Sequence, residues 1–246
     1  MKKIITILSA LTLVGTVTLT GCSSTPTPSA SPSTNKEEPA KEKAPAAATS
    51  VKEGLAKLLQ TAKQIKKAAD KGDEAKIKEN GPKLEEIWGS FEDDVKAKYA
   101  DSYEKIEKAL DPTIAATKAN PIDKTTLLKI DNQLIDSLYE LSGKVIPVDE
   151  IKAGATKMLD TTSQLKQAIQ AGDTAKVKEL GPKLEETWST FEDGVKPRNP
   201  EMYEKLEKPL NPEVAGSQVS PLDKETLGKL NDELIGALNE LLKNIK

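Results

Sequence analysis

From residue 51 onward the apolar positions recur at helical spacing. Val51, Leu55, Leu58, Leu59, Ala62, Ile65, Ala68 and Ala69 share one face of a 3.6-residue period. Ser50 stands where an N-cap belongs. Gly72-Asp73 reads as a C-cap glycine followed by the N-cap of a second helix. That helix carries Ile77, Leu84, Ile87, Trp88, Phe91 and Val95. Gly81-Pro82 is expected to break or kink it, because proline removes a donor and suits a first helical turn. A shorter helix follows, with Tyr103, Ile106 and Leu110 inward. Asn120-Pro121 marks a turn, and Asp123 caps a last helix carrying Leu127, Leu128, Leu134, Ile135, Leu138 and Leu141. No useful stretch alternates with period two. The pattern predicts an all-α bundle of three long helices and a short one.

The pattern then occurs again. Residues 51–146 and 151–246 align at a constant offset of 100 without a gap, and 45 of the 96 positions are identical. The densest block, Gly81-Pro82-Lys83-Leu84-Glu85-Glu86 with Trp88, Phe91, Glu92 and Asp93, returns as Gly181 to Glu186 with Trp188, Phe191, Glu192 and Asp193. The chain therefore reads as two tandem, duplicated helical-bundle modules, 51–146 and 151–246. Gly143 to Glu150 joins them, with Pro147 and Asp149 stopping one helix and starting the next. A copy that needed only a core could keep the apolar pattern and drift elsewhere. Here charged and aromatic positions are kept, so a site is expected twice, or between the modules.

The N-terminal end changes the picture. Lys2-Lys3 precede an uncharged, mostly apolar run from Ile4 to Leu19, short of the roughly 20 residues that span a bilayer. It ends in Leu19-Thr20-Gly21-Cys22, which resembles the lipobox of bacterial lipoproteins. The resemblance implies a signal peptide over 1–21, cleavage before Cys22, and lipidation of Cys22. The protein would sit on the extracytoplasmic face of the cell membrane, held by acyl chains at about 0.8 kcal/mol per buried methylene. The bland alternative is a secretory signal with an incidental cysteine. Residues 22–50 then form a flexible linker. Its Ser, Thr, Pro, Ala, Lys and Glu cannot offset the entropy of ordering.

Composition narrows the chemistry. Cys22 is the only cysteine and histidine is absent, so no disulfide within the chain, Cys-His pair, Ser-His-Asp triad or His-containing zinc site is available. The net charge of −3 and a single arginine, Arg198, favour neither nucleic acid nor a phosphate-recognising site. Paired carboxylates alone can hydrolyse glycosides. Two Trp, four Tyr and two Phe are few to line a sugar cleft, and a non-enzymatic role is expected.

The remaining candidates are acidic and aromatic. Glu85, Trp88 and Glu92 lie at i, i+3 and i+7 beside the apolar stripe, and Tyr103, Glu104 and Glu107 lie on the next helix. If the two helices pack antiparallel, Glu85 or Glu92 can face Glu107 with Tyr103 nearby. The matching positions are Glu185, Glu192, Tyr203 and Glu207. Carboxylates with a phenolic oxygen suit hard cations. The bland alternative is a solvated face of i,i+4 pairs over a packed Trp and Tyr.

Ala168-Ile169-Gln170-Ala171-Gly172-Asp173, Ala175-Lys176, Leu184-Glu185, Trp188 through Phe191-Glu192, and Tyr203-Glu204-Lys205-Leu206-Glu207 resemble helical segments of the imelysin-like, EfeO-type iron-uptake lipoproteins. They also resemble the extracytoplasmic helical domain of some high-affinity iron permeases. The resemblance covers roughly 51–110 and 151–210. It implies a role in iron acquisition, with iron as the bound ion and an iron permease or other envelope protein as partner. The implied ligands are Glu85, Glu92, Tyr103 and Glu107, with Glu185, Glu192, Tyr203 and Glu207. Imelysin-like proteins carry a His-x-x-Glu motif that this chain lacks. The other expectation is a structural or adaptor lipoprotein that presents the duplicated bundle to an envelope protein or cell-wall polymer.

Overall fold

Ten helices and no strand are present among the residues that the computed structural model describes, 50–246. The expected signal peptide, Cys22 and the linker up to residue 49 lie outside the described residues. The first repeat holds α1 (Val51–Lys71), α2 (Glu74–Trp88), α3 (Glu92–Lys98), α4 (Ala100–Lys118) and α5 (Lys124–Val145). The second holds α6 (Val148–Ala171), α7 (Thr174–Trp188), α8 (Glu192–Val195), α9 (Pro200–Ser217) and α10 (Lys224–Asn244). None of these helices is long and apolar enough to cross a membrane.

The ends of the first two helices form as their residues dictate. The Ser50 hydroxyl accepts from the Glu53 amide at 3.3 Å, and the Asp73 carboxylate accepts from the Lys76 amide at 3.1 Å. Each satisfies a donor the helix leaves orphaned. Between them Gly72 adopts φ 72°, the left-handed conformation in which a side chain would be strained.

Three local expectations are corrected. Gly81-Pro82 does not break α2, which runs unbroken to Trp88. Gly81 is needed for another reason: a Cβ there would stand 2.0 Å from Thr117 Oγ1, so its absence lets α4 lie close against α2. In the second repeat Pro182 leaves the Lys178 carbonyl without its helical donor. The side-chain amide of Gln218 donates to that carbonyl at 3.1 Å. The break falls later, at Gly89–Phe91. Phe91 turns inward over Gly54, where a Cβ would meet its ring at 2.2 Å, and Glu92 opens a separate helix. Finally, the expected short helix is 19 residues long and contains Pro112. Each repeat therefore has four long helices and one short one.

Each repeat buries its own apolar face. Leu58, Leu59, Ile65, Leu84, Ile106, Leu134 and Leu138 are fully buried in the first. Leu165, Leu184, Leu206, Leu210, Leu234 and Leu238 are fully buried in the second. Full burial of each such side chain is worth about 1.5–3 kcal/mol. Trp88 and Trp188 sit at matching places in the two cores, with Phe91 and Phe191 edge-on at 5.1 Å.

Only Ile146 and Pro147 separate α5 from α6, and Ile146 packs into the second core. α8 lies against α5. Gly194 permits this, since a Cβ there would stand 2.8 Å from Ile146. Arg198 completes the joint. Its guanidinium donates to the carbonyls of Gly143 at 2.6 Å and Ile146 at 2.8 Å, at the end of α5, and to Gly194 at 2.7 Å. A cation suits that helix end, where carbonyls lack partners and the macrodipole is negative.

Candidate functional site

The acidic and aromatic positions of each repeat meet at one corner, where α2, α3 and α4 (or α7, α8 and α9) converge. Trp88 is buried and stacks on Tyr103 with ring centroids 5.8 Å apart, and its indole N–H donates to Glu107. Trp188 repeats the arrangement with Tyr203 at 5.6 Å, and its indole N–H donates to Glu207 at 2.8 Å. A buried indole needs such an acceptor, so Glu107 and Glu207 have a packing role whatever else they do. Asn211 donates to the other oxygen of Glu207 at 2.9 Å. Lys96 and Lys196 lie over the rings of Tyr103 and Tyr203 at 5.0 and 4.3 Å, within reach of cation–π attraction.

In the first repeat the carboxylates crowd one another. Burial raises the proton affinity of Glu92, and the neighbouring charges of Glu107, Asp93 and Glu85 raise it further, with Lys96 a partial offset. Glu92 and Glu107 are half-buried, Glu85 is exposed, and no ion pair among the described residues involves any of the three. Glu85, Glu92 and Glu107 are thus brought together electrostatically, with Tyr103 beside them. The geometry stops short of a finished metal centre. Among the described residues, no three Asp, Glu, His or Cys side chains are arranged to hold a metal ion.

In the second repeat the same corner is roofed by the first. Lys63 of α1 donates to Asp193 at 3.2 Å and approaches Glu192 at 4.0 Å. Tyr203 donates to the other side of Glu192 at 3.2 Å. Tyr139 of α5 packs into the same junction, with Lys63 and Lys196 at 5.1 and 5.2 Å from its ring centroid. Burial, reinforced by Asp193 and resisted by Lys63, moves Glu192 up to about 7. Burial also raises Asp193, against the pull of Lys63. Burial would lower the Lys63 ammonium, but Asp193 and its neighbours outweigh it and raise it. Glu185 is raised by burial and then by Glu207. Burial, followed by the charges of Glu192 and Glu207, raises Tyr203.

Sequence reasoning missed Lys63, Tyr139, Asp193 and the joint-building role of Arg198. It also missed a buried polar pair. Asn231 donates to Glu213 at 2.7 Å inside the second repeat. In the first repeat the corresponding residues are Asp131 and Thr113, both fully buried, and neither carboxylate oxygen of Asp131 has a hydrogen-bond partner among the described residues. Burial moves Asp131 and Glu213 each up to about 7. One signal was present in the sequence. Position 63 is Lys against Ser163, 139 is Tyr against Asn239, 94 is Asp against Gly194, and 98 is Lys against Arg198. The interface lies where the copies differ.

No protein-family model, curated protein or solved structure matches the chain.

Proposed function

We propose that this chain is a lipid-anchored extracytoplasmic binding protein that captures iron, or another hard cation, on the acidic corner of its first repeat. It would hand the ion to a permease or other envelope protein of an uptake system. The observation that carries this reading is the difference in charge balance between two corners built from the same residues. The second corner has an ammonium group against its carboxylates. In the first no lysine forms an ion pair with the corner carboxylates among the described residues, and Glu92 is raised by burial and by Glu107, Asp93 and Glu85, with Lys96 only a partial offset. Such a site is short of positive charge, and oxygen donors at its rim suit a hard cation. A protein helix fits less well there. Asp94 stands where Gly194 admits the end of α5, so an identical approach to the first corner would collide.

The test is a titration of the intact chain with chelated ferric iron, ferrous iron and manganese, read by Trp88 fluorescence and calorimetry. Saturable binding is expected, weakened at least tenfold in Glu92→Gln, since that change removes charge without removing volume. A folded Glu92→Gln protein with unchanged affinity would remove the site assignment. The adaptor reading is favoured by one observation: no three donors are set in place for a metal among the described residues. It predicts no saturable ion binding and instead retention of a specific envelope protein by the immobilised chain.

A further inference from the structure

The corner of the second repeat has an access route and an occupant. A cleft of about 380 Å3 opens between the repeats, lined by Gln60, Lys63, Glu185, Ser189, Glu192 and Asp193. The Lys63 ammonium lies in its wall, 3.2 Å from Asp193 and 4.0 Å from Glu192. Next to it is the Tyr139 hydroxyl, which is buried and has no hydrogen-bond partner among the described residues. The ring centroid of Tyr139 lies 5.1 Å from the Lys63 ammonium and 5.2 Å from that of Lys196, so the side chain stands in the same junction. An ammonium against two carboxylates, beside an unpartnered phenolic oxygen, is the arrangement a small hard cation would find if the lysine were absent.

We infer that the cleft between the repeats is a second cation site, formed by Glu192 and Asp193 with the hydroxyl of Tyr139, and that Lys63 masks it as a tethered resident cation. The inference rests on the cation-binding reading for the first repeat only in expecting one ion per chain there. Masking follows from charge and space. The ammonium lies against the carboxylates that would ligate an ion, so the ion must displace it. Position 163, the equivalent of Lys63, is serine, so the second repeat carries no lysine there to mask a further partner. The two copies of one acidic corner thus differ in availability, and the difference is made by a residue of the other repeat.

Terbium(III) tests this, because it is a hard, oxygen-seeking ion whose luminescence is sensitised by nearby tryptophan. Trp88 and Trp188 report the two corners. The intact chain is expected to bind one ion, Lys63→Met two, and Lys63→Met with Glu192→Gln and Asp193→Asn one again. Far-UV circular dichroism checks that each variant folds. If the methionine variant does not, Lys63→Gln replaces it, keeping a donor to Asp193 without the charge. Unchanged stoichiometry on removing Lys63 overturns the masking, and so does a wild-type chain that already binds two. A wild-type chain that binds none while Lys63→Met binds one upholds the masked site and defeats the first-repeat reading. No ion in either protein defeats both.

Discussion

Glu92-Asp93 and Glu192-Asp193 begin matching helices after the same Trp-x-x-Phe turn, yet one pair looks outward and the other lies beneath Lys63 and Tyr139. The local sequence does not explain this. Three differences around the corner do. Gly194 lets α5 come close, Arg198 ties the end of α5 down, and Lys63 supplies the opposing charge. The first repeat has Asp94 and Lys98 at the matching places, and these pair with each other at 3.6 Å. Its free corner cannot accept a third module in the same way. The outer face of the second repeat has lost Lys63 and Tyr139 in favour of Ser163 and Asn239. Terminal units of repeat arrays need polar outer faces in the same way.

The comparison can be tested at four points, from the largest effect to the smallest. Asp131 and Asn231 contrast an unpaired buried acid with a hydrogen-bonded amide. Burial raises Asp131 from 3.8 to about 7. The folded state therefore binds the proton more tightly than the unfolded chain. The stability this gives is complete below about pH 4 and is lost as the pH rises to about 7. At about 1.4 kcal/mol per pKa unit the range is at most about 4–5 kcal/mol. Asp131→Asn should flatten that part of the stability–pH curve in urea melts. An unchanged curve would show that Asp131 has a partner in solution. Glu213, which rises to about 7 for the same reason, leaves a smaller slope in the variant.

Gly194→Asp, which installs the first repeat's residue at the joint, drives a side chain into Ile146 and should cost about 1–3 kcal/mol. It should also increase the radius of gyration in small-angle scattering. The reverse change, Asp94→Gly, meets no such wall and should stay within about 1 kcal/mol, the general loss from an added helical glycine. Equal costs for the two would mean that the repeats do not pack through α8.

Asp193→Asn leaves Lys63 facing only Glu192. A partly buried pair of this kind should lose about 1–2 kcal/mol, less than the 3–5 of a fully buried one because the Lys63 side chain is 36% exposed. Asp93→Asn, on the exposed copy, should change stability by less than about 0.5 kcal/mol. Urea midpoints decide between a difference and none. Arg198→Lys keeps the charge but not the planar fork that reaches three carbonyls. A loss of about 1 kcal/mol is expected, and a neutral result would reduce Arg198 to a surface charge.

Much of this was legible from residue order. Apolar spacing located three of the four long helices of each repeat, and Ser50, Gly72, Asp73 and Asp123 marked ends of them, because caps act over three or four residues. The break read at Gly81-Pro82 is absent, and Gly81 serves instead the close approach of α4 through Thr117. The break at Phe91 was invisible for a similar reason: Phe91 needed Gly54, a residue of another helix, to turn onto. The acidic corner was found as a set of residues because both copies kept it. The sequence left open which carboxylates were already in use. Glu107 and Glu207 accept from the tryptophans, a contact between helices that no spacing along one helix encodes.

By itself, then, the chain determined an all-α architecture, the helix ends marked by caps and the presence of an acidic and aromatic set of residues in each repeat. These follow from the period of the apolar positions, from capping chemistry, and from the 100-residue offset. Tertiary structure alone decided that one corner is open and the other closed. Periodicity is a property of a single helix, but the charge balance of a carboxylate depends on whatever is brought against it. Here that is Lys63, 130 positions away in sequence and 3.2 Å away in space.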